Sequence, residues 1–375
     1  MNMGSLIKSV LTAALLWSMA ASAMAVTCKY EGVEPPDGIM PLQISAINVG
    51  RDLPLGTEVF RQTFMVLASQ RSTVVCEFAP FQRWFQYTVS AVYPKANWST
   101  GPYANKVYQT DIPGIGVVFK NEQDGVLPMT TAKSSVSCTA GYRCVQAVSR
   151  EKSSFELVLI KIGDVSPGVL RGNRLPQLTL QGYFGDARML LYRVNHSGNI
   201  QIVANTCKTP DVLVPMGTHL SKTFTRVGSA TGWKDFNIAL NNCPAFHGTY
   251  AEDASTWISK GGKNPGGDGY PGYVTQNKLQ LRIDPARPAI NASNGVLSLD
   301  PSGSGSTPAA TGIGVQIADR YSNPLPLSTV RDSNVYLHDF ENSYTIPLRA
   351  RYLQTSSKVT AGPANATATF TLIYQ

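Results

Sequence analysis

Hydrophobic and polar residues alternate over short stretches along most of the chain. One such stretch places Phe85, Tyr87 and Val89 on one face and the more polar set Trp84, Gln86 and Thr88 on the other. The same two-residue period recurs at residues 279–283 and 366–374. Because successive side chains of a strand point to opposite faces, this period predicts β-strands with one buried face.

Turn-forming residues separate these stretches, for example Asn294-Gly295 and the glycine-rich segment 265–269. Many short strands between regular turns are typical of a β-sandwich or barrel. Charged residues make up 15% of the chain, against roughly 25% in an average soluble domain. This low fraction disfavours long surface helices, so we predict an all-β protein.

The length of 375 residues predicts two domains. A polar, turn-prone stretch at 195–199 suggests a boundary between a first domain of residues 26–198 and a second domain of residues 199–375. Each half contains the sequence Gly-Ile-Gly-Val, at 114–117 and at 312–315. This repetition is consistent with two related sandwiches in tandem.

The first 25 residues have the features of a cleaved export signal. Lys8 supplies a positive charge, residues 9–20 form an apolar run too short to span a bilayer, and Ala23-Met24-Ala25 resembles a cleavage site. Cleavage between Ala25 and Val26 would leave an exported protein. A membrane anchor is the alternative interpretation of the same segment.

Six cysteines follow the predicted cleavage site, and an even number in an oxidising compartment suggests disulfide bonds. Proximity along the sequence favours three pairs, although other pairings stay open: Cys28 with Cys76, Cys138 with Cys144, and Cys207 with Cys243. The four histidines are scattered and no Cys-x-x-Cys pair occurs, so we expect no metal ion and no cofactor.

The net charge of +8 is spread over both halves without a lysine or arginine run, which argues against nucleic acid binding. Nucleophile-elbow, zinc-protease and P-loop motifs do not occur in the sequence. We therefore expect no enzymatic activity. A carbohydrate-active enzyme with two carboxylates brought together by the fold remains an alternative.

The second half resembles the pilin domain of the chaperone–usher pathway. The resemblance rests on Cys207, Val212, Val214, Phe224, residues 236–243 ending in Cys243, 310–317, 348–352, 360–366, and the ending through Phe370 to Tyr374-Gln375. It implies an immunoglobulin-like sandwich that lacks one strand and is completed by a donor strand. Phe370, Leu372 and Tyr374 would then point into the groove that binds the chaperone and afterwards the donor strand.

The first half resembles the receptor-binding domain of two-domain fimbrial tip adhesins. Residues 26–29 look like the mature start of type 1 adhesins, whereas 48–57 and 107–116 look more like the type 3 adhesin. The resemblance therefore implies two tandem immunoglobulin-like sandwiches. The mannose-pocket residues of type 1 adhesins have no match here, so a mannose specificity does not follow.

Glycan sites combine hydrogen-bonding side chains with aromatic rings, because sugars carry both hydroxyl groups and apolar faces. Loops of the first half contain this mixture, and we take seven of their residues as candidate ligand contacts: Trp98, Tyr103, Asn105, Asn121, Asp124, Tyr142 and Arg143. Trp84 is instead interpreted as a core residue of its strand.

The resulting hypothesis is a fimbrial tip adhesin that passes through the periplasm and acts on the bacterial surface. Its expected partners are a periplasmic chaperone, an outer-membrane usher, an adjacent pilin subunit that donates a strand, and a receptor. The receptor would be a glycan or a matrix protein such as collagen, and the process would be host attachment or biofilm formation. A shaft or adaptor pilin is the main alternative.

Overall fold

The computed structural model describes residues 25–77, 80–138, 143–261 and 266–375. The predicted export signal up to residue 24, and the candidate residue Tyr142, lie outside the described residues. The regular secondary structure of the described residues consists of β-strands and three short 3-10 helices, at Ala68–Gln70, Gly172–Arg174 and Ser221–Thr223. The prediction of an all-β protein is confirmed.

The strands of the first half are β1 Thr27–Glu31, β2 Asp37–Pro41, β3 Ala46–Asn48, β4 Glu58–Val66, β5 Thr73–Glu77, β6 Phe81–Ser90, β7 Tyr108–Gln109, β8 Ile115–Asn121, β9 Gly125–Val126, β10 Met129–Thr130, β11 Ser134–Val136, β12 Cys144–Ala147, β13 Phe155–Lys161, β14 Gly168–Arg171, β15 Gln177–Phe184, β16 Ala187–Ser197 and β17 Asn199–Val203. Those of the second half are β18 Lys234–Cys243, β19 Tyr250–Ser259, β20 Gly267–Tyr270, β21 Leu279–Pro285, β22 Val296–Leu297, β23 Ile313–Asp319, β24 Arg331–Asp332, β25 Asn342–Gln354 and β26 Ala368–Tyr374.

Two large sheets form the first sandwich. One has the strand order β10-β6-β15-β16-β2, with β11 also paired to β6, and the other contains β4-β13-β8-β7. The inward side chains interlock in an aromatic core, where Phe155 stacks on Phe64 at 5.1 Å between ring centroids. His196 is buried in the same core against Phe119 and Phe155.

The second sandwich has its own core between the sheets β18-β25-β23-β22 and β24-β21-β26. Inward residues of β26 alternate with exposed threonines, as the two-residue period of 366–374 predicts. Leu372 and Tyr374 are buried, while Phe370 is half-buried against this core.

The first sandwich extends slightly further along the chain than the sequence boundary at 198 and 199. Strand β17 pairs with β14 and β3, and its residues Ile200 and Ile202 are fully buried in the first core. The polar stretch 195–199 turns between β16 and β17, with Gly198 at a φ of +80°. A polar turn inside a sandwich therefore has the same composition as a linker between domains.

Strands β19 and β20 belong to the second half in sequence but extend a sheet of the first sandwich. Strand β19 pairs in parallel with β4, for example Thr256 with Thr63 and Ile258 with Met65, and β20 pairs with the other side of β19. Ser255 and Ser259 are completely buried. The second half therefore supplies the two strands at one edge of this sheet, and β7 of the first half forms the other edge.

Further contacts join the two sandwiches where β3 ends. The backbone N–H of Asn48 donates to the carbonyl of Gly248 at 2.9 Å, and the Asn48 side chain donates to the carbonyl of Ala245 at 3.1 Å. The N–H of Tyr374 donates to the Asp52 carboxylate at 3.1 Å. Gly50 packs so closely on Tyr374 that a Cβ there would overlap the tyrosine carbonyl oxygen. In the described part of the chain, no helix is long and apolar enough to cross a membrane.

Candidate functional site

Three of the predicted ligand residues lie in one loop over the outer face of β8 and β13. Trp98 and Tyr103 pack onto Val118, Val158 and Ile160 in a small second apolar cluster of the first half. Asn105 is exposed with a φ of 59°, and its N–H donates to the Trp98 carbonyl at 2.7 Å to close the loop. The aromatic rings therefore anchor the loop, and only Asn105 is presented to solvent.

Tyr103 connects this loop to a row of charges on the same sheet face. Its hydroxyl donates to Glu58, which also accepts a hydrogen bond from Arg61. Burial alone would raise the pKa of Glu58, but the hydrogen bonds from Tyr103 and Arg61 outweigh it and lower this pKa. The row continues to Glu156, whose carboxylate lies 2.9 Å from the Lys120 ammonium.

Beside this row lies an open groove of about 630 Å³. We call it the charged groove, and its polar lining consists of Thr63, Lys120, Asn121, Glu122, Arg150, Ser154, Glu156, Asp253 and Thr256. Asp253 and Thr256 come from β19, so both halves of the chain form the groove. Its mixture of charges and hydroxyl groups suits a polar ligand, although no aromatic ring lines it.

Asn121 and Asp124 are occupied by contacts within the protein. The Asn121 amide donates to the carbonyls of Glu151 and Ser154, and its oxygen accepts from the N–H groups of Gln123 and Asp124. Asp124 accepts from the Tyr87 hydroxyl at 2.8 Å and pairs with Lys152. Burial is the main cause that raises the pKa of Tyr87. Of these two residues, Asn121 lines the charged groove.

Arg143 lies on a different sheet from the other candidates. It pairs with Glu31 at 2.6 Å beside the small sheet β1-β5-β12, and both side chains remain about half exposed. The structure therefore does not bring all the predicted residues to one site. It joins Cys28 to Cys76, Cys138 to Cys144 and Cys207 to Cys243, which are the pairs favoured by proximity.

The placement of Trp84 in the core is wrong. Trp84 lies half-buried on the outer face of β6, where its ring stacks on Tyr183 of β15 at 4.9 Å between centroids. Gln86 and Thr88, which follow Trp84 at two-residue spacing, share this outer face. Their polar side chains are the sequence feature that indicates an outward orientation of Trp84. No cluster of metal-ligating side chains occurs among the described residues.

The second sandwich has an open edge beside β26. This strand pairs with β21 on one side, and on the other side no strand of the described chain pairs with it. Residues 209–219 also make no backbone–backbone hydrogen bond within the described ranges, and no strand is assigned to them. An open sheet edge of this kind leaves backbone N–H and C=O groups unpaired.

Apolar side chains accompany this open edge, and we call the edge of β26 together with them the apolar groove. Val212, Val214 and Met216 of residues 209–219, and Phe370 and Leu372 of β26, pack in or against the second core. The intervening Leu213 is 91% exposed, which shows the strand-like alternation of residues 212–216. Tyr374 is buried in the same core, where its ring lies 6.0 Å from that of Phe246 between centroids.

Comparisons with known proteins match both the second half and the whole chain. The family model described as "Fimbrial protein" matches residues 194–375. A type-1 fimbrial protein subunit of Serratia marcescens is 30% identical over 183 residues, which is 47% of this chain and 83% of that protein. The chain belongs to the fimbrial protein family. This confirms the resemblance found in the sequence of the second half.

Relatives of this fimbrial protein also extend over its first half. A fimbria adhesin protein of Klebsiella pneumoniae is 24% identical over 339 residues, which is 89% of this chain and 90% of that protein. Among solved structures, the CupB6 tip adhesin of Pseudomonas aeruginosa aligns with 93% of this chain and 94% of its own, at 17% identity and a TM-score of 0.34.

Proposed function

We propose that this fimbrial protein is a tip adhesin, in which the first sandwich binds a receptor and the second attaches the chain to the fimbria. The observation that carries the proposal is the apolar groove, in which the outer edge of β26 has no partner strand and apolar side chains are only partly buried. A donated strand would satisfy the free N–H and C=O groups and cover the exposed apolar side chains. The donor is first a periplasmic chaperone and then an adjacent pilin subunit, which the outer-membrane usher joins to this chain.

A position at the end of the fibre follows from the connection between the two sandwiches. Strand β17 ends at Val203, and Cys207 already belongs to the second core. Residues 204–206 are too short to form a strand that could fill a neighbour's groove. The chain therefore accepts a strand at its second sandwich without offering one from the linker. A shaft or adaptor pilin would need such a free extension, so this observation favours the tip adhesin.

The charged groove supports receptor binding by the first half. It offers cations, carboxylates and hydroxyl groups within one concave surface, which suits a glycan or a polar segment of a matrix protein. Receptor binding without chemical turnover is the expected activity. Trp98, Tyr103 and Asn105 act here by fixing the loop beside the groove.

The test of strand acceptance uses the purified full chain and a synthetic peptide with alternating apolar residues, taken from the N-terminal extension of a pilin of the same fimbria. We expect the peptide to raise the melting temperature of the second sandwich, because a ligand that binds only the folded state stabilises it. A peptide of the same length with prolines at alternate positions is the control, because proline has no N–H to pair with a strand. A melting temperature that neither peptide nor chaperone changes would overturn the proposal.

Receptor binding is tested separately with the peptide-completed full chain on an array of glycans and matrix proteins. Asp253→Asn and Lys120→Gln should weaken any binding found by about tenfold each, since each removes a charge from the charged groove. Asp332→Asn and Lys358→Gln, at exposed positions of the second half, are the matched controls. Equal effects of both sets would exclude the charged groove as the receptor site.

A further inference from the structure

The outer face of the β10-β6-β15-β16-β2 sheet bears a row of alternating cations and aromatic rings. Lys133 places its ammonium 4.6 Å from the ring centre of Trp84, Trp84 stacks on Tyr183, and the guanidinium of Arg188 lies 5.9 Å from the ring centre of Tyr183. The two rings are parallel within 6°. We call these four residues the aromatic ladder.

The ladder follows the order of the strands. Trp84 and Tyr183 are directly opposite each other on β6 and β15, Lys133 precedes β11, and Arg188 lies on β16. Each ring covers one face of the other, so the cations occupy the remaining faces. The rings therefore position the two cations, which reduces the side-chain entropy that an ion pair with a ligand would cost.

Hydrogen bonding on this face leaves donors unused and occupies the acceptors. The oxygen of Gln86 accepts from the Tyr183 hydroxyl at 2.9 Å, and the oxygen of Gln181 accepts from Arg188 Nε at 2.8 Å. Among the described residues, the amide nitrogens of both glutamines, the terminal nitrogens of Arg188 and the ammonium of Lys133 have no hydrogen-bond acceptor. The face therefore presents free N–H groups with two positive charges.

Acidic side chains do not neutralise this face within the described ranges. Neither Lys133 nor Arg188 forms an ion pair there, and both are exposed. Asp186, in the turn between β15 and β16, is also exposed and forms no ion pair with Arg188. At the far side of the sheet, Arg193 is paired with Asp37 at 3.3 Å. The unneutralised charge is thus confined to the ladder.

We propose that the aromatic ladder is a binding site for an anionic polysaccharide that carries carboxylate or sulfate groups. A polymer of this kind supplies acceptors and negative charge, and the ladder presents unused donors and two positive charges. The cations lie on elements three strand spacings apart, about 14 Å, which favours an extended chain with repeated charges over a single sugar. The inference rests on the adhesin function and adds a ligand class and a second binding face to it.

The experiment measures binding of the full chain, with and without the donor peptide, to immobilised heparin, as a sulfated probe, and to polygalacturonate, as a carboxylated one. Neutral dextran is the reference surface. We expect binding to at least one polyanion and none to dextran, with an affinity that falls as salt rises. Absence of binding to both polyanions at low salt would overturn the inference.

Two double variants with the same change in net charge decide whether the ladder is the site. Lys133→Gln with Arg188→Gln should weaken polyanion binding at least about tenfold, the loss of two charge-assisted contacts. Arg287→Gln with Lys358→Gln, at exposed positions of the second half, should change it less than about twofold. Equal losses in both would show general charge attraction only and overturn the inference.

Trp84→Leu keeps both cations and removes one ring. It should also weaken binding, because Lys133 loses the surface that positions it, and an unchanged melting temperature verifies that the sandwich is intact. Should Trp84→Leu lower stability, Tyr183→Phe is the milder variant, as it keeps the ring but frees the oxygen of Gln86. It should leave the affinity within about twofold of the unaltered protein, and a larger loss would contradict the role of the ring.

These outcomes are independent of the proposed function. A protein that accepts the donor peptide and binds a receptor through the charged groove, but ignores heparin and polygalacturonate, overturns only the ladder site. A protein that binds both polyanions through the ladder but never accepts a donor strand contradicts the fimbrial attachment instead.

Discussion

The two sandwiches differ in how the edges of their sheets are protected. In the first, the edge of β4 is covered by β19 from the second half of the same chain, with six register pairs between them. In the second, the outer edge of β26 has no partner in the described chain. Both edges carry free backbone groups that would otherwise invite pairing with other chains. The edge of β4 is thus covered within the molecule, whereas the edge of β26 needs a second molecule to cover it.

This difference explains why the first sandwich has a complete core and the second has half-buried apolar residues around an opening. Phe64 and Phe155 next to the covered edge are almost fully buried, whereas Phe370 beside the open edge is only half-buried. Apolar surface left in contact with water lowers stability. The second sandwich should therefore be the weaker unit until a strand fills the apolar groove, and the following changes test that view.

The largest effect is expected from deletion of residues 370–375. It removes the buried Leu372 and Tyr374 and most of the pairing of β26 with β21, a loss of more than about 5 kcal/mol. Limited proteolysis with mass spectrometry should show cleavage throughout β21–β25 and survival of β6, β13 and β15. Deletion of Gln375 alone is the control. An intact second sandwich after the longer deletion would refute the proposed weakness.

Removal of disulfide bonds should distinguish the halves next. Replacing Cys207 and Cys243 by serine should lower the free energy of unfolding of the second sandwich by about 2–5 kcal/mol. Replacing Cys138 and Cys144 should cost less, because this bond spans 6 positions against 36 for the other. Denaturant unfolding of each variant, with and without the donor peptide, gives both values. A smaller loss for the Cys207 variant would reverse the expected order.

The first sandwich should carry a pH dependence of its own. Burial lowers the pKa of His196 from its ordinary value of 6.5 to about 3. Between pH 6.5 and about 3, His196 is protonated in the unfolded chain but not in the folded chain. The free energy of unfolding therefore falls as the pH drops below 6.5. The slope is at most about 1.4 kcal/mol per pH unit. Urea unfolding at pH 7.5 and 5.5 measures it, and His196→Gln should remove the difference. An equal pH dependence in that variant would contradict this assignment.

The two-residue alternation was sufficient to predict the fold class, because each strand buries one face in a local pattern. The same alternation identifies the inward residues of β26. In β6 it places Phe85 and Trp84 on opposite faces of the strand. The cross-sandwich pairing of β19 with β4 was not predictable. Strand pairing depends on which edges meet in space, and residues 250–259 carry no sequence feature that names β4 as their partner.

The candidate site was predicted less well for a similar reason. Residue types suggested Asn121 and Asp124 as ligand contacts, but both are consumed by hydrogen bonds to nearby loops. The charged groove depends on Asp253 and Thr256, which lie far along the chain in the other half. The interpretation of Trp84 as a core residue also fails, because its polar neighbours at two-residue spacing, Gln86 and Thr88, indicate the outer face.

The smallest change tests whether the covered edge depends on the junction between the sandwiches. Gly50→Ala introduces a Cβ that would overlap the carbonyl oxygen of Tyr374, whereas Gly232→Ala meets no atom within 4 Å. Since the obstacle is backbone, the two sandwiches must shift apart slightly, and we expect a loss of about 1 kcal/mol, the low end for overpacking. Hydrogen exchange should accelerate at the amides of Asn48 and His247, which bridge the junction. The amides of β19 should keep their protection if pairing with β4 alone holds this strand. Faster exchange in β19 as well would mean that the junction between the sandwiches is needed to keep β19 paired with β4. Exchange identical to that of Gly232→Ala would refute the close contact between Gly50 and Tyr374.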